Sequence, residues 1–298
     1  MPSTPEVIDC STLLARAPSR IPIVLRPVEL SAPLLSGSPD VSAPTWHATL
    51  ERHRQPGVTG AGSAFEPQEV KMRVLTGAEP NENISDADLA ELYAAPAGTP
   101  WLRVGMVSTV DGSATGDDAR TSSINNAADQ RVFQALRSIA DVIIVGAGTA
   151  KAEKYAPTDK PIVLVSRKAQ VPESLQGAPA GSVYLATCSR SDGLASAREI
   201  LGEEHILELG SHRVDLPLLK ATLAERGWTS QLCEGGPHLS RDLVFQGCVD
   251  EVAATTVPRL VAGAYPRTTE GAPVDIALTL TMLLEDEGTL FGRWALGR

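Results

Sequence analysis

The chain has little cysteine and a shortage of basic residues, and each shortage excludes a class of protein. Its 298 residues include four cysteines, which are too few for a disulfide framework in a chain of this length. Lys and Arg number 26 against 36 Asp and Glu. The resulting net charge of -10 disfavours nonspecific binding to nucleic acid, which needs clustered cations. We therefore expect a reducing, cytoplasmic setting and no nucleic-acid partner.

Long apolar runs and a secretion signal are also missing. The most apolar opening stretch, 21–35, is interrupted by prolines and charged residues, so it falls short of the roughly 20 apolar residues that span a bilayer. The N-terminus has no basic region followed by an apolar run and a cleavage site. The five histidines are scattered, and we expect no metal site. These features predict a soluble protein with no membrane partner.

Residues 1–71 differ in composition from the rest of the chain. They are rich in Pro, Ser, Ala and Gly and show no periodic apolar face, which predicts a poorly ordered extension. An alternative is that translation begins at Met72, from where the chain has the pattern of one folded domain, 72–298. A peptide from residues 1–60 in mass spectra of the native protein would exclude that alternative.

Apolar strands and amphipathic helices alternate through the second part of the chain. A strand over 102–109 is followed by a helix over 127–140 and by a strand over 141–145, which is a continuous apolar run after Asp141. Further strands are predicted at 161–165, 183–186, 205–209 and 229–233, and further helices at 86–94, 193–201, 215–226 and 237–246. β-prone runs at 250–261 and 276–284, then a turn at 285–288 and a strand at 290–296, complete the pattern. The fold class predicted is α/β, a mostly parallel sheet flanked by helices with antiparallel C-terminal strands.

Two glycine-containing turns each stand between a predicted strand and a predicted helix. The first is Gly146-Ala147-Gly148-Thr149, and the second is Glu234-Gly235-Gly236-Pro237, followed by His238. Such turns present backbone N–H groups at a helix N-terminus, where a phosphate can approach closely. Neither is a full Gly-x-Gly-x-x-Gly, and each alone is equally compatible with a plain tight turn. Together they favour one nucleotide cleft at the carboxyl edge of the sheet.

Two other strand ends carry polar residues. Ser166 and Arg167 end the strand at 161–165, where an Arg beside a hydroxyl suits a 2′-phosphate and so favours NADPH over NADH. The alternative is that Arg167 is a solvated strand end. Ser108 and Asp111 lie at the exit of the first strand, where a carboxylate could orient a heterocycle or relay a proton, although an Asp-Gly pair is often just a turn.

These motifs resemble the C-terminal reductase domain of the bifunctional riboflavin-biosynthesis deaminase/reductase, over about residues 72–298. The segment 107–112 is similar to the family's Ala-Ser-Leu-Asp-Gly. Leu136-Arg137 through Thr149, and Glu234 through Pro237 with Asp250-Glu251 after it, complete the resemblance. The deaminase signature, a His-x-Glu with a paired Cys-x-x-Cys, is not found, so the sequence predicts the reductase domain alone.

The resemblance implies a dihydrofolate-reductase-like fold, a homodimer, NADPH as cofactor, and reduction of a ribosylated aminouracil phosphate by hydride transfer. It implies that Val107 and Thr149 line the nicotinamide pocket and that 236–242 hold the pyrophosphate. The predicted catalytic residues are Asp111 and Glu234, and the predicted substrate-binding residues are Ser108, Arg137 and Glu234. The predicted cofactor-binding residues are Val107, Gly146, Gly148, Thr149, Ser166, Arg167, Gly235, Gly236, Pro237 and His238.

The chain departs from the family pattern where the family holds the substrate phosphate. After Thr149 the family has an Arg in Asp-Asn-Pro-x-Leu-x-x-Arg, whereas the segment 150–157 here has none. Ser113 and Ser123 replace a basic residue and a Trp. Two alternatives therefore stay open, a dihydrofolate or pterin reductase and a noncatalytic NADPH-binding protein.

Overall fold

The computed structural model describes residues 72–118 and 120–297. The predicted extension 1–71 lies outside the described residues, and so does the question of a start at Met72. Within the described part of the chain, no helix is long and apolar enough to cross a membrane.

Ten strands of the described residues form one sheet. They are β1 (Arg73–Thr76), β2 (Trp101–Thr109), β3 (Val142–Gly146), β4 (Ile162–Val165), β5 (Val183–Thr187), β6 (Ile206–Glu208), β7 (Ser230–Cys233), β8 (Glu251–Val257), β9 (Leu278–Asp286) and β10 (Thr289–Leu296). Within 72–118 and 120–297, six α-helices accompany them: α1 (Asp86–Leu92), α2 (Ala127–Ile139), α3 (Ala147–Ala152), α4 (Leu194–Leu201), α5 (Leu216–Glu225) and α6 (Pro237–Phe245).

The strand order is β1-β9-β10-β8-β2-β7-β3-β4-β5-β6. All neighbours from β8 to β6 pair in parallel, whereas β10, β9 and β1 add antiparallel pairs. The predicted α/β fold class, with a mostly parallel sheet and antiparallel C-terminal strands, is therefore confirmed.

Strand β3 shows why the central sheet is buried on both faces. Val142 and Ile144 pack with α5 and α6, while Ile143 and Val145 pack with α3 and α4 on the opposite face. Successive side chains of a strand point to opposite faces, so a run of four apolar residues supplies both layers. On the second face, α1 and α2 continue the helical layer over the C-terminal strands.

Helix α2 begins where the sequence predicts a cap. The Asn126 side chain accepts a hydrogen bond from the Asp129 backbone N–H at 2.9 Å, which satisfies one of the free donors of the first turn. Its buried side chains fall on one face, and this face turns towards the sheet. The cap fixes the residue at which the helix begins, and the buried face fixes its rotation about its axis. This face borders the cavity described below.

The C-terminal strands differ in detail from the prediction. β8 ends at Val257, not at 261, because Pro258 follows and has no N–H to donate to a neighbouring strand. β9 extends to Asp286, so the turn is two residues, Glu287 and Gly288, and not 285–288. Both turn residues have positive φ, the combination that a tight hairpin between twisted strands requires. β1, with four residues, was too short to be predicted.

Candidate active site

A cavity of about 500 Å³ lies beside the parallel strands of the sheet, and its floor is made by β2 and β8. Gly105, Met106 and Val107 of β2 line it together with Ala254 and Thr255 of β8. These strands pair in parallel, Val107 opposite Thr255, so the floor is one continuous patch. It is mostly apolar, as the floor of a small-molecule site is expected to be.

One face of helix α2 forms a wall of the cavity. Its lining residues are Asp129, Val132, Phe133, Leu136 and Arg137. Their spacing of three and four residues places them on one helical face. The wall therefore has an acidic end at Asp129, an apolar middle, and a basic end at Arg137.

At the basic end, Arg137 forms a two-point ion pair with Glu234, which directly follows β7. Arg137 Nε lies 2.7 Å from Glu234 Oε1, and Arg137 Nη2 lies 2.8 Å from Oε2. The Tyr155 hydroxyl donates to the same Oε2 at 2.7 Å. The Glu234 side chain is 3% exposed. The guanidinium also stands 4.4 Å from the centre of the Phe133 ring. This geometry fixes the position of all three polar groups.

The charges of the pair stabilise each other. Burial lowers the pKa of the Arg137 guanidinium, but the hydrogen bonds and charge of Glu234 outweigh burial and raise it overall. Burial and the Glu234 charge both raise the pKa of Tyr155, so its phenol stays protonated and acts as a hydrogen-bond donor. The cluster therefore presents a firmly cationic, rigidly held group to the cavity.

The two glycine turns meet at the cavity. The Gly146 N–H donates to the Gly235 carbonyl at 2.8 Å, and a Cβ on Gly236 would lie 2.1 Å from Thr149 Oγ1. The peptide bond between Gly235 and Gly236 is cis. Helices α3 and α6 begin at these turns with no side-chain cap, in contrast to α2 and its Asn126 cap. Uncapped N–H groups beside small residues suit the phosphate groups of a nucleotide.

The exit of β2 is tied to the loop after β8. The carboxylate of Asp111 accepts hydrogen bonds from the Thr109 hydroxyl and from the Ala262 N–H, the latter at 2.7 Å. These bonds, that from Thr109 first, hold the pKa of Asp111 below its usual value. Asp111 thus stabilises this loop as an ionised acceptor.

Comparison with known proteins identifies the family. The sequence matches the model of the RibD C-terminal domain over residues 100–289, which is more than half of the chain. The chain belongs to the RibD C-terminal domain family.

Two curated relatives are similar in sequence. The 2,5-diamino-6-ribosylamino-4(3H)-pyrimidinone 5′-phosphate reductase of Methanothermobacter thermautotrophicus is 29% identical over 190 residues, which cover 59% of this chain and 86% of that protein. The riboflavin biosynthesis protein RibD of Bacillus amyloliquefaciens is 26% identical over 182 residues, which cover 58% of this chain but 49% of that protein. The chain is thus similar to both a reductase and part of a longer protein.

Among solved structures, a pyrimidine reductase-like protein from Corynebacterium diphtheriae shares the fold. Its TM-score is 0.62 at 21% identity, and the match covers 72% of this chain and all of that one. The shared fold therefore extends over most of the described residues.

Within this RibD-type site, six of the residues predicted from sequence line the cavity: Val107, Arg137, Thr149, Glu234, Gly236 and Pro237. Gly146 and Gly235 lie directly behind them through their backbone hydrogen bond. Ser108, Asp111, Gly148 and His238 are not among the lining residues. His238 is 77% exposed in its side chain and bonds to the Glu270 carbonyl at 3.1 Å. The predicted roles of all these residues stay predictions.

Ser166 and Arg167 follow β4, two strands from β7 along the same carboxyl edge. Ser166 is buried and its hydroxyl accepts a hydrogen bond from the Gln170 N–H at 3.1 Å. Arg167 is exposed. This position is outside the cavity and matches the edge where the far end of a dinucleotide would extend.

Sequence reasoning missed several polar residues of the cavity, among them Asp129, Tyr155 and Thr255. For Asp129 a signal did exist, because it stands three and four residues before Val132 and Phe133 and so belongs to the apolar face of α2. An acidic residue on an apolar helix face is buried at a cost, which points to a function. For Thr255 and Tyr155 the sequence carried no comparable signal.

Proposed function

We propose that this chain is an NADPH-dependent reductase of riboflavin biosynthesis that acts on a ribosylaminopyrimidine phosphate. Family membership supports the reaction class. The observation that carries the proposal is the cavity itself, where the rigid Arg137–Glu234 pair stands beside two converging glycine turns.

The glycine turns are compatible with a bound dinucleotide. Gly236 leaves no room for a side chain against Thr149, and the first turns of α3 and α6 have no side-chain caps. We propose that 236–242 hold the pyrophosphate and that Ser166 and Arg167 hold a 2′-phosphate, which selects NADPH over NADH. NADPH supplies the hydride when bound.

The residues of the chain mainly position the substrate. Hydride addition to the carbon of the ring-opened ribosyl imine, with a proton going to its nitrogen, converts a carbon–nitrogen double bond into a single bond. The apolar floor at Met106 and Val107 keeps water from the reacting carbon. Arg137 and Glu234 hold the sugar portion at a fixed distance from the floor, so the reaction gains from orientation.

The proposal also includes a quaternary state and a cellular location. We propose a homodimer in the cytoplasm, supported by exposed leucines on β9 and β10, among them Leu278 and Leu280 at 44% and 36% exposure. Apolar residues clustered on an exposed sheet face are typical of an interface between copies of one chain.

The test is NADPH oxidation by the purified full chain, with the diaminopyrimidinone phosphate, the aminouracil phosphate and dihydrofolate as separate substrates. Turnover of either pyrimidine, lost in Glu234→Gln, supports the proposal. The missing phosphate-binding Arg after Thr149 favours one second candidate, a pterin reductase, which turnover of dihydrofolate alone would select. Tight NADPH binding without any oxidation would instead indicate a noncatalytic nucleotide-binding protein.

A further inference from the structure

The loop between β8 and β9, residues 258–277, runs beside the cavity. The Ala114 N–H, just after the exit of β2, donates to the Pro266 carbonyl at 2.8 Å and fixes one side of this loop. Two of its residues, Pro266 and Glu270, line the cavity. The loop therefore brings a carboxylate, that of Glu270, to the site, although none of the predicted site residues lies in this loop.

Glu270 is held at the first turn of α6 by its own backbone. Its N–H donates to the Pro237 carbonyl at 3.3 Å, and its carbonyl oxygen lies 3.1 Å from Nδ1 of His238. Two residues further along, the Ala272 carbonyl accepts a hydrogen bond from Arg241 Nε at 2.7 Å. These contacts fix the Glu270 backbone beside the turn that is proposed to hold the pyrophosphate, while its side chain lines the cavity.

The Glu270 carboxylate has acceptor positions to spare. The Arg267 N–H donates to Oε1 at 3.2 Å. Oε2 lies 3.9 Å from His238 Nε2, which is too long for a hydrogen bond, and no hydrogen bond to Oε2 is found within the described residues. A carboxylate offers several lone pairs on its two oxygens. The side chain is 37% exposed, so a ligand in the cavity can reach it.

One part of NADPH matches both the position and the chemistry of this carboxylate. The proposed function places the pyrophosphate at 236–242 and the nicotinamide beside Val107 and Thr149. The nicotinamide ribose joins those two parts, and Glu270 lies where they meet, bonded to Pro237 and lining the same cavity. This ribose carries the one free vicinal diol of NADPH, because the 2′-hydroxyl of the other ribose is phosphorylated. Two neighbouring O–H donors match the two oxygens of a carboxylate.

We propose that Glu270 binds the 2′- and 3′-hydroxyls of the nicotinamide ribose and so fixes the nicotinamide over the apolar floor of the cavity. This inference rests on the proposed function, and it assigns a cofactor-binding role to the loop 258–277. The contribution to the reaction is orientation, because a ribose held at two points restricts the rotation of the ring attached to it.

The negative charge of Glu270 gives the test a sign. A carboxylate that faced the pyrophosphate would repel it, so that Glu270→Gln would bind the dinucleotide more tightly. A carboxylate that accepts from two hydroxyls forms charge-assisted hydrogen bonds, so that Glu270→Gln should bind about 10- to 100-fold more weakly. The two arrangements therefore predict opposite effects of one substitution.

The experiment measures Kd by calorimetry for the full chain with 2′,5′-ADP, 2′-phospho-ADP-ribose and NADPH. The first ligand lacks the second ribose, the second has this ribose without nicotinamide, and the third has both. Glu270→Gln should weaken binding of the second and third ligands by a similar factor, about 10- to 100-fold, and leave the first unchanged. Asp275→Asn makes the same charge change at an exposed acid of the same loop, and all its Kd values should equal those of the wild type.

The ligand series separates this inference from the proposed function. Tighter binding of 2′-phospho-ADP-ribose by Glu270→Gln would overturn the inference, because the carboxylate would then face the pyrophosphate. A loss confined to NADPH would contradict it as well, since the contact would then be to the nicotinamide. Unchanged Kd values for all three ligands would remove the role of Glu270 and leave the reductase assignment intact. A wild-type chain that binds none of the three would contradict both, whereas the expected Kd pattern without NADPH oxidation would support Glu270 and contradict the reductase assignment.

Discussion

Gly236 shows how one missing side chain shapes the site. Its φ of -81° is open to any residue, so the reason for glycine is not backbone conformation. The reason is space, because an added Cβ would lie 2.1 Å from Thr149 Oγ1. Either Thr149 or the turn must move to admit a methyl group. The contact therefore couples the second glycine turn to the first turn of α3.

We expect Gly236→Ala to lower stability by about 1–3 kcal/mol, as overpacking commonly does, and to weaken NADPH binding about tenfold or more. Thermal melting and NADPH titration measure the two effects. The double variant Gly236→Ala/Thr149→Ala should recover much of the melting temperature because the clash is removed. Gly148→Ala is the control for stability, since nothing lies within 4 Å of a Cβ there. Equal melting temperatures for Gly236→Ala and wild type would refute the steric account.

Glu234 is the second decisive residue, because it is the only carboxylate recorded against the Arg137 guanidinium in the described residues. We expect Glu234→Gln to cost about 3–5 kcal/mol of folding stability, since it leaves a mostly buried cation without its counter-ion. Denaturant unfolding measures this. The control is Glu203→Gln, which breaks an ion pair with Arg198 whose acid is 71% exposed, and should cost under about 1 kcal/mol. Similar losses of folding stability in both variants would contradict the larger contribution expected of the Arg137–Glu234 pair.

At the scale of elements, a buried network connects β2, β8 and β10. Glu251 of β8 lies 2.5 Å from Arg103 Nε of β2 and 2.6 Å from Arg293 Nη2 of β10. Both cations also donate to backbone carbonyls at the end of α1, at Tyr93 and Leu92. Tyr93 in turn borders the cavity. The network therefore holds Tyr93, which forms part of the cavity wall, in position.

We expect Glu251→Gln to destabilise the fold by about 3–5 kcal/mol at neutral pH, because two buried guanidinium groups lose their counter-ion. Burial alone would raise the pKa of Glu251, but the bonds from Arg293 and the charge of Arg103 lower it overall. The stabilisation by Glu251 is therefore present above the usual glutamate pKa and is lost as the pH falls through the lower folded value. Urea unfolding at several pH values should show that the unfolding free energies of the wild type and the variant become equal in acid. A difference in unfolding free energy that stays constant as the pH falls would contradict the role of the ionised Glu251.

Elements with strong local signals were predictable, and elements that depend on distant contacts were not. Strand β3 was predicted from its apolar run. Helix α2 was predicted from its N-terminal cap and its periodic apolar face. β1 has four residues and exists by pairing with β9, more than 200 positions later. The C-terminal end of β8 is set by Pro258, which lies inside the β-prone run 250–261.

The same distinction holds for the site. The glycine turns and the Arg137 and Glu234 motifs were predicted, and the structure brings them together in one cavity. Asp129 and Thr255, more than 100 positions apart, meet at the same cavity, and this depends on how α2 lies across β8. No local pattern encodes that meeting. It follows from packing of the whole domain.

At the scale of the whole molecule, the C-terminal strands offer a surface for association. Among the described residues, β1 pairs with β9 only from Leu283 to Glu285, so no described strand pairs with the outer edge of the first part of β9. Leu280 and Leu278 of that part lie opposite Trp294 and Leu296 of β10. Neither leucine is buried in the single chain. Free edges and exposed leucines on a sheet favour pairing with another copy.

If the proposed homodimer forms through this surface, Leu280→Asp should convert it into a monomer, because the variant places a charge among the exposed leucines of β9. Light scattering on a size-exclusion column measures the mass. The control is Leu218→Asp on α5, where a leucine of 46% exposure stands away from the β9 leucines and the dimer should persist. A wild-type chain that runs as a monomer at high concentration would contradict the dimer proposal.

The most direct test of the account follows the hydride itself. NADPH carrying deuterium at the transferred position is incubated with the full chain and the diaminopyrimidinone phosphate, and the product is analysed by mass spectrometry and NMR. The account predicts one deuterium in the product, on the sugar carbon attached to nitrogen, and none when Glu234→Gln replaces the wild type. NADPH that stays unoxidised with both pyrimidine phosphates, or deuterium on the pyrimidine ring, would contradict it.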